Sequence, residues 1–233
     1  MTYITGDTHG GTSNILKMIN RLNLSENDII IILGDAGYNY YLDERDYIAK
    51  NKFKKIKPTI FCIQGNHECR PEHIETYKTK EWHGGTVWYE EKYPKLLFAK
   101  DGDVYEFDGL KCLVIGGAYS VDKMWRIIRN VNWWSDEQPS DEIKNRCEET
   151  IKKKHIDIVL SHTCPFRYEP KDTFIPGIDQ SKVDKSTEIW LDSIEGKIDY
   201  KAWYCGHFHI NRDIDKIHFL YHDIKTFDEI KQK

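Results

Sequence analysis

Apolar residues along the chain fall in short runs that end alike. Tyr3-Ile4-Thr5 leads into Gly6-Asp7, Ile29 to Leu33 into Gly34-Asp35, and Thr59 to Ile63 into Gln64-Gly65-Asn66-His67. Further on, Ile156 to Leu160 leads into Ser161-His162, and Ala202 to Cys205 into Gly206-His207. Short runs rich in β-branched and aromatic residues, closed by Gly or Ser, are the pattern of buried strands whose chain then turns sharply. Between them the apolar period lengthens. Ser13 to Leu22 sets Ile15, Met18, Ile19 and Leu22 on one helical face, and Ser140-Asp141-Glu142 opens a helix to about Lys154 with a capping serine and early acids. Strand alternating with helix predicts an α/β fold. The stretch from Thr86 to Ile115 differs. Its short runs, Thr86 to Tyr89, Asp103 to Phe107 and Lys111 to Ile115, with the turn pair Asp108-Gly109, predict an antiparallel meander. Pro165 to Ser186 lacks a period and predicts a long surface loop, placed to act as a lid.

Composition narrows the class. At 233 residues the chain is long enough for one full α/β core and short for two, so residues 1–233 are expected to form one domain. A hydrophobic share of 39% and a charged share of 31% exclude a disordered chain. The 34 basic and 38 acidic residues leave a net charge of -4, so no overall basic field draws the protein to nucleic acid, which enters only as a substrate. The longest purely apolar stretch, Ile29 to Leu33, falls far short of the ~20 residues of a membrane span. The opening Met1 to Asp7 has no secretory pattern, so the expectation is a cytoplasmic protein without a membrane partner. Cys62, Cys69, Cys112, Cys147, Cys164 and Cys205 form no CxxC pair and are expected to be buried, reduced thiols.

The polar residues at the strand ends carry the chemistry. In an open α/β sheet, ligands collect beyond the carboxyl ends of the strands, where Asp7, His9, Asp35, Asn66, His67, His162, His207 and His209 are expected to converge. Carboxylate, amide oxygen and imidazole together suit Mn²⁺, Fe²⁺, Zn²⁺ or Ni²⁺, whereas Ca²⁺ and Mg²⁺ prefer oxygen alone. The set exceeds the needs of one ion. Two ions ~3.5 to 4 Å apart with a bridging carboxylate would use it and leave room for a shared hydroxide. Each piece alone has a structural explanation: a polar strand end for Asp7 and His9, an Asx turn for Asp35, a satisfied core histidine for His162. In Gly206-His207-Phe208-His209, two imidazoles one residue apart would face the same way in an extended segment. His73, His83, His155, His218 and His222 lie outside these blocks.

Taken in order, Asp7-Thr8-His9, Gly34-Asp35, Gly65-Asn66-His67-Glu68, His162 and Gly206-His207-Phe208-His209 resemble the signature of the calcineurin-like metallophosphoesterase superfamily, from Asp7 to His209. The resemblance implies two stacked mixed β-sheets flanked by helices. It also implies that Asp7, His9 and His209 hold one metal, that Asn66, His162 and His207 hold the second, and that Asp35 bridges them. His67 is then no ligand; it contacts the substrate phosphate and assists the leaving group.

Two cations would neutralise the phosphoryl oxygens and lower the pKa of a bridging water, so that hydroxide attacks in line while His67 protonates the leaving oxygen. Neither Cys69 nor Cys164 sits in a glycine-rich, arginine-ended loop, which argues against a cysteine nucleophile. The Gly-Asp-x-His-Gly and Gly-Asn-His-Glu blocks resemble the Ser/Thr protein phosphatase branch and its diadenosine-tetraphosphate relatives. Their phosphate-clamping arginines are missing here: Ala36-Gly37-Tyr38 follows Asp35, and Gln64 precedes Gly65. The Gly-His-x-His ending resembles the branch with phosphodiesterases and nucleases. Arg70 and Arg126 are the candidate replacements at the phosphate. Trp125, Trp133 and Trp134 offer stacking surfaces, though core packing is their default. The expected activity is phosphomonoester hydrolysis, on phosphoproteins or nucleotides, with manganese as the favoured metal. The alternatives are a phosphodiesterase or nuclease and, remotely, a silent metal-binding scaffold.

Overall fold

The computed structural model describes residues 1–228. Its first half runs β1 (Thr2–Thr5), α1 (Thr12–Arg21), β2 (Ile29–Ile32), α2 (Glu44–Asn51), β3 (Thr59–Cys62), β4 (Lys78–Trp82), β5 (Gly85–Tyr89) and β6 (Leu96–Ala99). The second half runs β7 (Val104–Phe107), β8 (Leu110–Ile115), α3 (Lys123–Arg129), α4 (Asp141–Lys153), β9 (Ile158–Ser161), α5 (Ser186–Glu195), β10 (Ala202–Cys205), β11 (Arg212–Ile214), β12 (Ile217–Phe219) and β13 (Lys225–Thr226). Seven strands form one mixed sheet in the order β13-β1-β2-β3-β6-β5-β4, and six form another in the order β11-β12-β10-β9-β8-β7. Parallel strands occupy the middle of each: β1, β2 and β3 in the first, β8, β9 and β10 in the second.

The two-residue alternation of a strand explains the layering. On β2, Ile31 faces the other sheet while Ile30 and Ile32 face outward. Ile31, Leu33, Phe61 and Ile63 meet Tyr105, Phe107, Val114, Leu160 and Tyr204 in a core between the sheets. Ile15, Met18 and Ile19 of α1 cover Ile30, Ile32 and Ile60, while Cys147 of α4 and Trp190, Leu191 and Ile194 of α5 cover Leu113, Val159 and Trp203. The result is the expected two stacked mixed sheets with helices outside. The middle strands of both sheets are buried on both faces, which is why they read as unbroken apolar runs.

Several expectations change in detail. The face expected on α1 loses Leu22, which lies past the helix end and is exposed. Ser140 caps α4 as expected, its Oγ accepting from the Ile143 N–H at 3.3 Å. β9 begins two residues later than the run from Ile156. Thr86 to Ile115 is not one meander: β5 and β6 belong to the first sheet, and β7 and β8 form a hairpin in the second. The hairpin closes where expected, with Phe107 opposite Leu110 and both Asp108 and Gly109 at positive φ. Pro165 to Ser186 holds three single 3₁₀ turns and no strand, and α5 starts at its end. Cys62, Cys69, Cys112, Cys147, Cys164 and Cys205 are all buried and free. Among the described residues no helix is long and apolar enough to cross a membrane.

Candidate metal centre

The loops leaving the carboxyl ends of β1, β2, β3, β9 and β10 meet where the ends of the two sheets adjoin. β1 delivers Asp7 and His9, β2 Asp35, β3 Asn66 and His67, β9 His162, and β10 His207 and His209. The chain must turn at once after each strand, and glycine makes room for it. A side chain at Gly34, which stands at φ 92°, would run into the His162 ring, and one at Gly65 into the Asp35 carboxylate. The candidate ligands turn as sharply: His9, Asp35, His207 and His209 have φ of 44°, 47°, 67° and 53°. The extended Gly-His-x-His segment expected from the sequence is therefore replaced by a bend. It sends the two rings to different partners instead of side by side.

His209 Nε2 lies 2.9 Å from His9 Nε2 and 3.2 Å from Asp7 Oδ2. His207 instead sets its ring edge-on to His162, with centroids 5.0 Å apart. His162 Nε2 lies 2.8 Å from Asn66 Oδ1 and 3.7 Å from Asp35 Oδ1. Ligand atoms within 4.8 Å of one another define three groups: Asp7, His9 and His209; His9, Asp35 and His67; and Asp7, Asp35 and His162. Asp7, His9 and Asp35 each belong to two of them.

Outer contacts fix the direction in which each donor points. Asn66 gives its amide N–H to Ser120 Oγ at 2.8 Å, which turns its oxygen toward the site. His162 Nδ1 gives its hydrogen to the Leu33 carbonyl at 2.8 Å, which leaves the Nε2 lone pair facing that oxygen. With a neutral ring, two electron-pair donors, His162 Nε2 and Asn66 Oδ1, face each other 2.8 Å apart, a contact that a proton or a metal cation relieves. Asp7 Oδ1 accepts the His207 N–H at 2.9 Å, while Oδ2 is buried without a hydrogen-bond donor. A buried carboxylate oxygen whose neighbours are imidazoles, His209 at 3.2 Å and His9 at 3.9 Å, fits a divalent ion.

The carboxylates set the charges here: against burial, Asp35 and Asp7 raise His162, and contact with the Asp7 carboxylate raises His209, so both rings give up a proton when they take a cation. Burial works against the Asp35 charge, but His162, His67 and His9 and the His67 N–H hold its pKa down at about 2. Burial, aided by His162, lowers His207 to about 3, so its ring is neutral, as a ligand must be. Burial and then Asp35 push Glu68 up to about 8, and its oxygens accept the Gly65 and Gly37 N–H groups, tying the β2 and β3 loops together.

The expected arginines part company. Arg70 is buried, bonded to Asp101 at 2.7 Å and to the Asp136 carbonyl at 2.9 Å, so its charge is satisfied inside the protein and does not reach the site. Arg126 does reach it. Its guanidinium is buried, pairs with Asp122 at 2.9 Å and donates to the His67 ring. His67 is lowered first by burial and further by Arg126 and His9, against the pull of Asp35. Trp125 does not pack in the core; it is 56% exposed, and Trp134 meets Tyr40 edge-on beside the site. Tyr40, whose ring stacks on His67 with centroids 6.4 Å apart, carried no signal in the sequence. Two clefts meet at His67. One of about 520 Å³ is walled by the 169–185 segment, and one of about 370 Å³ lies on the side of His9, Tyr40, Tyr41 and Arg45.

Two stacked mixed sheets with carboxylate, imidazole and amide donors at their adjoining strand ends define a metallophosphoesterase. The family model described as calcineurin-like phosphoesterase matches residues 2–211, and the chain belongs to that family. No curated protein matches it. Among solved structures it is similar to the Thermus thermophilus protein TT1561, at 12% identity and a TM-score of 0.49, over 88% of this chain and 80% of that one. It is also similar to a novel archaeal phosphodiesterase, at 14% identity and a TM-score of 0.39, over 94% and 81%. A third is a protein of unknown function from Aquifex aeolicus, at 13% identity and a TM-score of 0.41, over 100% and 98%. At these scores the neighbours add nothing to the family match.

Proposed function

We propose that the protein is a dinuclear metal-dependent phosphohydrolase whose substrates are phosphomonoesters. The observation that carries this reading is the meeting of donors from both sheets: Asp7, His9, Asp35, His162 and His209 fall in overlapping groups of ligand atoms, and Asn66 and His207 both face His162. Asp7, His9 and His209 would hold one ion, Asn66, His162 and His207 the other, and Asp35 both. Nitrogen and oxygen donors in this mixture favour manganese, iron, zinc or nickel, with manganese first. Bound there, two such ions would polarise the phosphoryl oxygens and supply an activated water as nucleophile.

The chain's own residues do the rest. His67 borders both clefts and is placed to give a proton to the departing oxygen. Arg126 holds the ring nitrogen in the absence of substrate. A phosphate dianion would accept the same guanidinium N–H groups more strongly, and its charge would raise the freed imidazole, so that the ring takes up the proton it then gives to the leaving group. That buried guanidinium takes over from the clamp missing after Asp35 and before Gly65.

A second reading, phosphodiester hydrolysis, is favoured by the cleft beyond His67 at Tyr40 and Arg45, which has room for a second ester group. Chelator-stripped protein reloaded with Mn²⁺ should hydrolyse a phosphomonoester and lose that activity on renewed chelation. Turnover of a bis-ester or an oligonucleotide without the monoester would transfer the conclusion to the second reading. Silence on all three would leave a metal-holding scaffold.

A further inference from the structure

The larger cleft continues from the metal centre into a chamber of different chemistry. Its floor is Asp35, Asn66, His67, His207 and His209. Its far walls are Val121, Phe174, Ile175, Ile178, Val183 and Ile210. Phe174 stacks on Phe208, with centroids 6.2 Å apart and planes 16° apart, and Phe208 stands between His207 and His209 in the chain. Ile175 is 62% exposed, an isoleucine held at the mouth with no core to enter. The lining acids are Asp122, Glu169, Asp184 and Glu188, and Lys185 is the only lysine or arginine among the described residues lining the chamber. Glu169 grips that lysine with both oxygens, at 2.8 and 2.9 Å, and its ammonium lies over the Phe174 ring.

Resting on the phosphohydrolase reading above, we infer that this chamber selects the organic part of the substrate: a bulky, apolar or aromatic group without negative charge. The phosphate is drawn to the floor, while the chamber beyond it has no free cation to meet a second anion. Asp122 and Glu169 there are already paired with Arg126 and Lys185, and burial raises Glu188, so nothing is left to attract one and Asp184 repels it. A pocket of about 520 Å³ lies within the range that encloses drug-sized ligands, and its apolar walls gain free energy only from apolar surface. Nucleoside polyphosphates and acidic phosphopeptides are therefore poor fits, and esters of large phenols or apolar alcohols are good ones.

The test uses non-hydrolysable phosphonates, so that binding is read apart from turnover. Calorimetry on the Mn²⁺-loaded full chain compares phenylphosphonate, 4-biphenylphosphonate and 4′-carboxybiphenyl-4-phosphonate. The second ring should tighten binding about 10- to 100-fold, the scale of burying one aromatic group, and the distal carboxylate should cancel that gain. Phe174→Ala should shrink the biphenyl-to-phenyl ratio, and Ile178→Lys should shift preference to the carboxylated ligand. A ratio within about twofold of one in the parent, or one untouched by both variants, overturns the inference, even where phenylphosphonate binds and phenyl phosphate is hydrolysed. If no phosphonate binds and phenyl phosphate is inert, the phosphohydrolase reading fails and takes this one with it.

Discussion

Asp35 and His67 stand close together and should fail differently. Asp35 is buried, lies in two groups of converging donors and anchors the His67 N–H at 2.7 Å. Asparagine there keeps the shape but removes the negative charge that would offset the repulsion between the proposed pair of cations. Asp35→Asn should lose at least one metal together with activity. Metal analysis finding two tightly held ions in the variant would remove the bridging role. His67→Ala should keep both metals and the parent's melting temperature. It should lose roughly 10²- to 10⁴-fold in kcat on alkoxide leaving groups, and much less on activated aryl esters that need no proton. Equal deficits on the two ester types would make His67 a phosphate-positioning residue instead of an acid.

At the scale of elements, α5 offers a pH test away from the metal. Glu188 is 4% exposed and accepts the Thr163 hydroxyl at 2.7 Å. Burial pushes it up to about 7 from the usual 4.5, with Glu169 adding to the rise. A pKa raised on folding means that the protonated form stabilises the fold; that contribution is complete below about 4.5 and disappears as pH climbs through 7. It amounts to about 3 kcal/mol. Glu188→Gln, which keeps the oxygen for Thr163, should melt with the parent at pH 4.5 and several degrees above it at pH 8.5. A gap independent of pH would assign the effect elsewhere. The elements legible from the sequence were those whose apolar residues turn inward, β1, β2, β3, β5, β7, β8, β9, β10 and α1, together with α4, marked by its capping serine and early acids. Two helices beside the site reverse that rule. α2 buries Asp46 and Lys50 and exposes Tyr47 and Ile48, while α3 buries Arg126 and exposes Met124, Trp125, Ile127 and Ile128. Periodicity looks for apolar residues facing a core, so it passed over both. The donors themselves were legible because they follow the strands directly. Their left-handed turns were not, because residue type does not fix the sign of φ at a histidine.

At the scale of the molecule, the site is a seam. Asp7, His9, Asp35, Asn66 and His67 follow strands of the first sheet, and His162, His207 and His209 follow strands of the second. Ions held there would bind the folded chain and not the unfolded one, adding about 2.7 kcal/mol when free metal is a hundredfold above its Kd. Chelation should therefore lower the melting temperature by several degrees and Mn²⁺ should restore it, with a smaller shift in Asp35→Asn. A melting curve indifferent to chelator would mean that no ion spans the seam. The backbone at His9, Asp35, His207 and His209 has a further consequence. Left-handed turns at residues with a Cβ cost on the order of 1 kcal/mol each, and unlike a lost contact this cost persists when the site is empty. Selection for heat resistance alone would replace these four residues early, with glycine or by straightening the loops. Their persistence in a lineage would record continued use of the site, and their loss would date its retirement.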